Sequence, residues 1–185
     1  RHIFINYGFH FCKAAPLRIF EAGFGTGLNA LLTAAEAEKG NREVHYTSVE
    51  KFPLAAEFKK KLNHGSFIGK NGLCLSALIS EAAWNERKKI CRNFIIRKIT
   101  GDLVADIFEG TYDLIYFDAF GPDKQHEMWR PEIFHKIASI TVTGGILVTY
   151  SVKGQVKRNL RNAGFSTELL PGPPGKRQVM RAIKI

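Results

Sequence analysis

Apolar positions along this chain switch between two periods, and the switches mark its elements. Leu17 to Phe20 is a compact apolar run that reads as a strand, and Leu28 to about Lys39, rich in Ala and Leu, reads as a helix. Val44 to Val49 is a second strand. Pro53 then sits at a helix start, where its fixed φ and missing N–H cost nothing, and leads into "LAAEFKKKL". Residues 63 to 91 are less regular; "SALISEAAW" reads as helical and its surroundings as an insertion. Phe94 to Ile99 and the strongly apolar Tyr112 to Phe117 are strands, Pro131 to Ile140 a helix, and "GGILVTY" a fifth strand followed by a basic helix from Lys153 to Ala163. Phe165 to Leu170 and Gln178 to Ile185 close the chain as a hairpin around "PGPPGKR".

Alternating strands and helices with near-continuous apolar strands predict an α/β fold. It is a doubly wound, Rossmann-like sheet, mostly parallel. The last two strands are too close in sequence for a crossover helix, so the C-terminal strand is antiparallel. No repeat or linker divides residues 1–185, and one domain is expected.

The stretch "IFEAGFGTGLNALLTAAEA" carries three glycines in five positions between the first strand and the first helix. Ligands of open α/β sheets lie beyond the carboxyl ends of the strands, where this turn falls. Leu28 occupies the place where the dinucleotide fingerprint needs its third glycine, and no G-x-x-x-x-G-K-[ST] exists. What remains, E-x-G-x-G-x-G, resembles motif I of class I S-adenosylmethionine-dependent methyltransferases; a mere tight strand-to-helix turn is the plain alternative. Glycine N–H groups can approach the ligand's carboxylate, while carbonyls and Glu21 can serve its cationic part. Glu50 ends the second strand, where an acid can accept hydrogen bonds from both ribose hydroxyls. Asp102, in "ITGDLV", is placed to accept from the adenine amino group, or else caps a turn. Phe52 is placed to pack on the adenine ring or in the core. The cofactor-binding set is thus Glu21, Gly23, Phe24, Gly25, Thr26, Gly27, Asn29, Glu50, Lys51, Phe52, Asp102 and Leu103.

In "YDLIYFDAFGPDKQHEMW" an apolar strand stops at Asp118 and small, aromatic and turn residues follow. A carboxylate there overhangs the sulfonium in this fold class, and Asp118 is the candidate catalytic residue; capping a turn is its plain alternative. Together "FEAGFGTGLNALL", "VEKFPL", "FDAFGPDKQHEMW", "GGILVTYSVKGQVKRNLRNAGF" and "PGPPGKRQVMRA" make the chain similar to the methyltransferase domains of the MnmC-like family, across nearly its whole length and least over residues 55 to 95. The resemblance implies methyl transfer from S-adenosyl-L-methionine to the aminomethyl group of a modified wobble uridine, 5-aminomethyl-2-thiouridine, in tRNA. Bifunctional members add an FAD-dependent oxidase. No second glycine-rich βαβ unit occurs in these residues, so the oxidase half is not expected among them. Whether a separate FAD-dependent oxidase supplies the substrate stays open, and the resemblance implies family sequence ahead of Arg1. In such a transfer nitrogen, methyl carbon and sulfur must be nearly collinear, so positioning and charge management dominate. Asp118 is expected to orient the amine and stabilise its growing positive charge rather than to act as a strong base.

Charge adds a partner. The net charge is +10, and from Lys153 onward Lys153, Lys157, Arg158, Arg161, Lys176, Arg177, Arg181 and Lys184 face the single acid Glu168. A second basic cluster is Arg87, Lys88, Lys89, Arg92, Arg97 and Lys98. Such an excess favours nucleic acid, or is simply a solvated surface. Lys153, Lys157 and Arg161 fall on one helical face, with Lys176 and Arg177 projecting from the proline-glycine loop, and all five are candidate phosphate contacts. Phe120, Trp129 and Tyr150 are candidates for stacking on a splayed anticodon base, or for core. Cys12, Cys74 and Cys91 are too scattered for a zinc or disulfide framework, so buried thiols in a reducing compartment are expected. No apolar run approaches the length of a membrane helix and no leader pattern is present, so a cytoplasmic protein, monomeric and without a metal site, is expected. Two rival functions stay open: methylation of a small-molecule or protein amine, and a non-catalytic RNA-binding module retaining the fold.

Overall fold

Every residue of Tyr112–Phe117 is buried, and Leu17–Ala22 is buried except at Arg18. Strands covered on both faces in this way belong to parallel α/β sheets, whose connecting helices supply the cover. A computed structural model describes residues 3–59 and 62–185 of the chain. Lys60 and Lys61 of the expected "LAAEFKKKL" helix, and Arg1, therefore lie outside the described residues. The described chain divides into two compact units.

The glycine-loop unit, Ala15–Asp102, contains β1 (Leu17–Ala22), α1 (Leu28–Lys39), β2 (Val44–Glu50), α2 (Ala56–Lys59), α3 (Gly72–Glu81), β3 (Arg87–Cys91) and β4 (Phe94–Thr100). Its strand order is β3-β4-β2-β1. β1, β2 and β4 are parallel, and β3 lies antiparallel on β4. Buried Ala30, Ala34 and Ala37 form the inner stripe of α1, and their small side chains let helix and sheet approach closely. The core beneath them is Leu17, Ile19, Phe20, Val44, Tyr46, Phe94 and Ile96. Glu21 lies inside β1, not beyond its end as the sequence pattern suggested. β3 was not foreseen, because its "RKKIC" sequence shows three consecutive basic residues and no apolar alternation.

The aspartate-loop unit runs from Leu103 to Ile185 and includes the segment up to Ala14. It holds β5 (Tyr112–Phe117), α4 (Pro131–Ser139), β6 (Thr141–Thr149), α5 (Gly154–Asn162), β7 (Phe165–Pro171) and β8 (Gln178–Lys184). The strand order is β5-β6-β8-β7. β5 and β6 are parallel, while β8 is antiparallel to both β6 and β7, as the short loop requires. A π-helical turn, Phe4–Phe9, buries Phe4, Ile5 and Phe9. A Cβ on its Gly8 would come within 3.1 Å of both Leu114 and Tyr116, so the turn lies close on β5. No pattern in the sequence marks this element.

The described strands thus have the mostly parallel α/β architecture that the sequence pattern predicts. Cys12 is buried, but Cys74 is exposed and Cys91 half-buried, correcting the expectation of three buried thiols.

Candidate functional site

The three glycines that end β1 each adopt positive φ: 93° at Gly23, 52° at Gly25 and 77° at Gly27. At Gly27 two constraints coincide, since the residue is the left-handed N-cap of α1 and a Cβ there would stand 2.8 Å from the Phe24 ring. Gly25 is the opposite case: it is exposed, and a Cβ there would meet nothing within 4 Å. Its outer face is open to a ligand, although its N–H is already used.

The loop is held from below by buried polar groups. Glu21 is fully buried; its Oε1 accepts from Asn29 Nδ2 at 2.8 Å and its Oε2 from Ser48 Oγ at 2.6 Å. That carboxylate therefore ties β1, α1 and β2 together. Phe24 is buried too, edge-on to Trp84 at 5.6 Å between centroids. The Lys98 Nζ lies 5.4 Å from the Phe24 centroid and 5.1 Å from that of Trp84. It also donates to the carbonyls of Ile79 and Ser80, at 2.9 and 3.1 Å, at the end of α3. Lys98 is 1 % exposed and so does not belong to the basic surface with which its sequence neighbours group it. The clue was in "FIIRKIT": two-residue alternation puts Lys98 on the same face as Phe94 and Ile96. His64, Ser76, Ile79 and Ser80 line a cavity of about 30 Å³ against Phe24–Gly27, so the irregular segment after residue 63 backs this loop.

Above the loop the expected residues cluster as well. Glu50 Oε2 accepts from the Gly25 N–H at 3.1 Å and Oε1 from the Phe52 N–H at 2.9 Å. A carboxylate has about four acceptor positions, so capacity is left for ligand hydroxyls. Lys51 Nζ pairs with Asp102 at 2.8 Å, which joins the ends of β2 and β4. Phe52 is 75 % exposed, with Lys51 Nζ 5.4 Å from its centroid, so it is no core residue. Thr26 is exposed, whereas Asn29 and Leu103 are buried. The N–H groups of Gly23 and Gly27 donate to Val49 O and Phe24 O, as that of Gly25 does to Glu50. The exposed outer face of the turn, the half-exposed carboxylate at the end of β2 and the bare Phe52 ring are therefore the groups that could hold the amino-acid end, ribose and adenine of S-adenosyl-L-methionine.

In the aspartate-loop unit β5 stops at Phe117 and leaves Asp118 exposed. Its loop is fixed through the backbone. Tyr150 Oη donates to Ala119 O at 2.7 Å, Trp129 Nε1 to Phe120 O at 2.7 Å, and the Phe120 N–H to Gln125 Oε1 at 3.2 Å. The Phe120 ring is nonetheless 75 % exposed. Burial pushes the Tyr150 phenol up in pKa, and the Asp118 carboxylate pushes it the same way. Lys176 Nζ lies over the Tyr150 ring at 4.2 Å, and burial lowers its pKa.

These contacts decide between the two readings of Trp129 and correct the expectation for Lys176. Trp129, a stacking candidate, is 4 % exposed and packs edge-on against Phe117 at 5.0 Å and Tyr150 at 6.1 Å. Its role is to hold the loop, because an indole with its N–H satisfied inside the core presents no free face. Lys176 was expected to project; it folds onto Tyr150 instead and covers the face that a base would use. Arg177 is exposed. On and beside α5, Lys153 pairs with Asp123 at 2.6 Å, Lys157 is half-buried, and Arg161 is exposed with Nε donating to Thr167 Oγ1 at 3.1 Å.

A family model described as S-adenosyl-L-methionine-dependent methyltransferase matches residues 76–185. Among curated proteins the chain is 33 % identical over 167 residues to the tRNA 5-methylaminomethyl-2-thiouridine biosynthesis bifunctional protein MnmC of Campylobacter hominis, covering 89 % of this chain and 25 % of that protein. It is 30 % identical over 198 residues to the MnmC of Pseudomonas putida, covering 97 % and 28 %. The chain thus spans about a quarter of the length of these relatives. Among solved structures it is similar to MNMC2 from Aquifex aeolicus, with a TM-score of 0.66 and 21 % identity over 90 % of this chain and 53 % of that one. It is also similar to spermidine synthase from Thermotoga maritima, at TM-score 0.60 and 12 % identity over 94 % and 55 %.

Proposed function

The chain belongs to the S-adenosyl-L-methionine-dependent methyltransferase family, and on that premise we propose that it methylates the aminomethyl group of a modified wobble uridine in tRNA. The names of its MnmC relatives support the substrate. The observation that carries the reading is Asp118, an exposed carboxylate at the end of a fully buried strand, on a loop whose backbone is held at three points beside an exposed aromatic ring.

S-adenosyl-L-methionine, when bound, supplies a methyl group activated by a sulfonium. Residues 1–185 act as one domain in this reading. The exposed turn at Gly25 and Thr26 receives the amino-acid end, with Glu21 and Asn29 setting the loop's shape from beneath. Glu50 accepts from the ribose hydroxyls, and Phe52 covers the adenine together with the Lys51–Asp102 pair and Leu103. Asp118 accepts hydrogen bonds from the acceptor amine, aims its lone pair, and stabilises the positive charge that builds on nitrogen. An aliphatic ammonium must lose a proton first; an exposed aspartate is too weak a base to take it completely, so solvent finishes the transfer. Phe120 stacks on the splayed base, and Lys157, Arg161 and Arg177 contact phosphates. An FAD-dependent oxidase activity, of the kind the bifunctional members of the family carry, supplies the amine. No helix among the described residues is long and apolar enough to cross a membrane, and an enzyme acting on tRNA works in the cytoplasm.

The test is label transfer from methyl-labelled cofactor to bulk tRNA lacking the terminal methyl group. Label is expected on the wobble nucleoside, and Asp118→Asn should slow its appearance by about 100-fold or more while leaving cofactor affinity near wild type. Label confined to small amines would overturn the tRNA reading, and wild-type turnover in Asp118→Asn would remove Asp118 from the chemistry.

A further inference from the structure

The basic cluster of residues 87 to 98 does not act as the single surface its sequence suggests. Register separates it. Pairing of β3 with β4 sets Arg87 opposite Arg97 and Lys89 opposite Ile95, and pairing of β4 with β2 sets Arg97 beside Thr47 and Ile95 beside His45. Residues directly opposed on neighbouring strands share a face, so Arg87, Lys89 and Arg97 stand together with Thr47 and His45. Lys88, opposite Ile96, belongs to the other face, and Lys98 is the buried cation beneath the glycine loop.

Arg87, Lys89 and Arg97 are all exposed. Among the described residues none of the three has a carboxylate within ion-pair distance, although Glu86 is adjacent in sequence. This sets them apart from Lys51, Lys153 and Arg181, which pair with Asp102, Asp123 and Glu168. Two arginines directly opposed across a strand pair repel one another. Lysines are commonly found on edge strands, where they block unwanted pairing, but that duty needs charge on β3 alone. Arg97 is on β4, which is paired on both sides.

We propose that this face of the β3–β4–β2 sheet is a phosphate-contact surface for the tRNA substrate, separate from the cations of α5. It rests on the tRNA reading above. A row of exposed guanidinium and ammonium groups without internal partners gains the most from an anionic backbone, because counterions are released as phosphates replace them. Arginine adds the option of two parallel hydrogen bonds to one phosphate. Cations spread along two strands rather than converging on one point suit a long polyanion better than a small anion.

The experiment measures binding of unmodified tRNA across a salt series with wild type and with Arg87→Gln/Lys89→Gln/Arg97→Gln. The expected result is a salt slope reduced by about 2 to 3 and affinity lowered by roughly 100-fold at low salt. Calorimetric binding of S-adenosyl-L-methionine should be unchanged, which verifies that the variant is folded. Arg87→Lys/Arg97→Lys keeps the charge and should keep the slope. If wild type binds tRNA and the triple variant matches it in affinity and slope, this surface is not used and the inference fails. If instead the triple variant loses affinity for poly-L-glutamate alone, the face takes an acidic protein and the inference fails too. A wild type that binds no tRNA at all would sink the substrate reading itself, a distinct result.

Discussion

Lys98 shows how much one buried side chain can mean for a loop it reaches through aromatic packing. A fully buried ammonium is expensive, since desolvation costs several kcal/mol unless good partners offset it. Here two carbonyls at the end of α3 and two aromatic faces supply that compensation. One of those rings, Phe24, fills the space over Gly27 that a Cβ would otherwise enter. Lys98 is therefore linked to the glycine loop by packing. Lys98→Met keeps length and removes charge, leaving the carbonyls of Ile79 and Ser80 without this donor at a cost of about 1–3 kcal/mol. We expect a lower melting temperature together with weaker S-adenosyl-L-methionine binding by calorimetry. A fall in melting temperature with unaltered cofactor affinity would make Lys98 a stabilising residue only, with no influence on the loop.

At the scale of elements, strands with an unbroken apolar run were legible and those without one were not. β5 reads directly from "YDLIYF", and the antiparallel closure of β7 and β8 follows from the short loop between them. β3 was hidden because an edge strand with one face in solvent needs few apolar residues. The π-helical turn Phe4–Phe9 was hidden because its rings have no periodic pattern and gain their meaning only against β5. The candidate site divides similarly. The glycines and Glu50 could be placed from the strand-end rule, while the fates of Trp129 and Lys176 depend on what lies across from them in space. The loop after β5 gives the matching prediction. Tyr150 has its pKa raised by burial first and by Asp118 second. Its neutral form is thus favoured in the folded state, and the stability this contributes is complete below about pH 10 and lost as pH climbs through the raised value. In Asp118→Asn, NMR titration of labelled tyrosine should move the Tyr150 midpoint down toward the ordinary range without reaching it, because burial remains. A midpoint that does not move would mean the carboxylate does not act on the phenol.

For the molecule as a whole, the 27 Lys and Arg behind the net charge of +10 overstate the cations available to a partner. Lys98 is enclosed, and Lys51, Lys153 and Arg181 are matched by acids. Among the cations that remain, two groups bear on tRNA binding, one on α5 with its following loop and one on the β3–β4 face. Paired cations release few counterions on binding a phosphate, because their carboxylate partner must be displaced first. Lys153→Gln should therefore change the salt slope of tRNA binding less than Lys157→Gln/Arg161→Gln does, although Lys153 sits closest in sequence to Asp123 and the Asp118 loop. If a single tRNA engages both groups, slope reductions from the α5 pair and from the Arg87, Lys89 and Arg97 triple should add when the variants are combined, since each phosphate contact contributes its own counterions. Slopes that fail to add, with the combined variant no worse than the stronger of the two, would mean that the two groups serve alternative binding modes rather than one extended footprint.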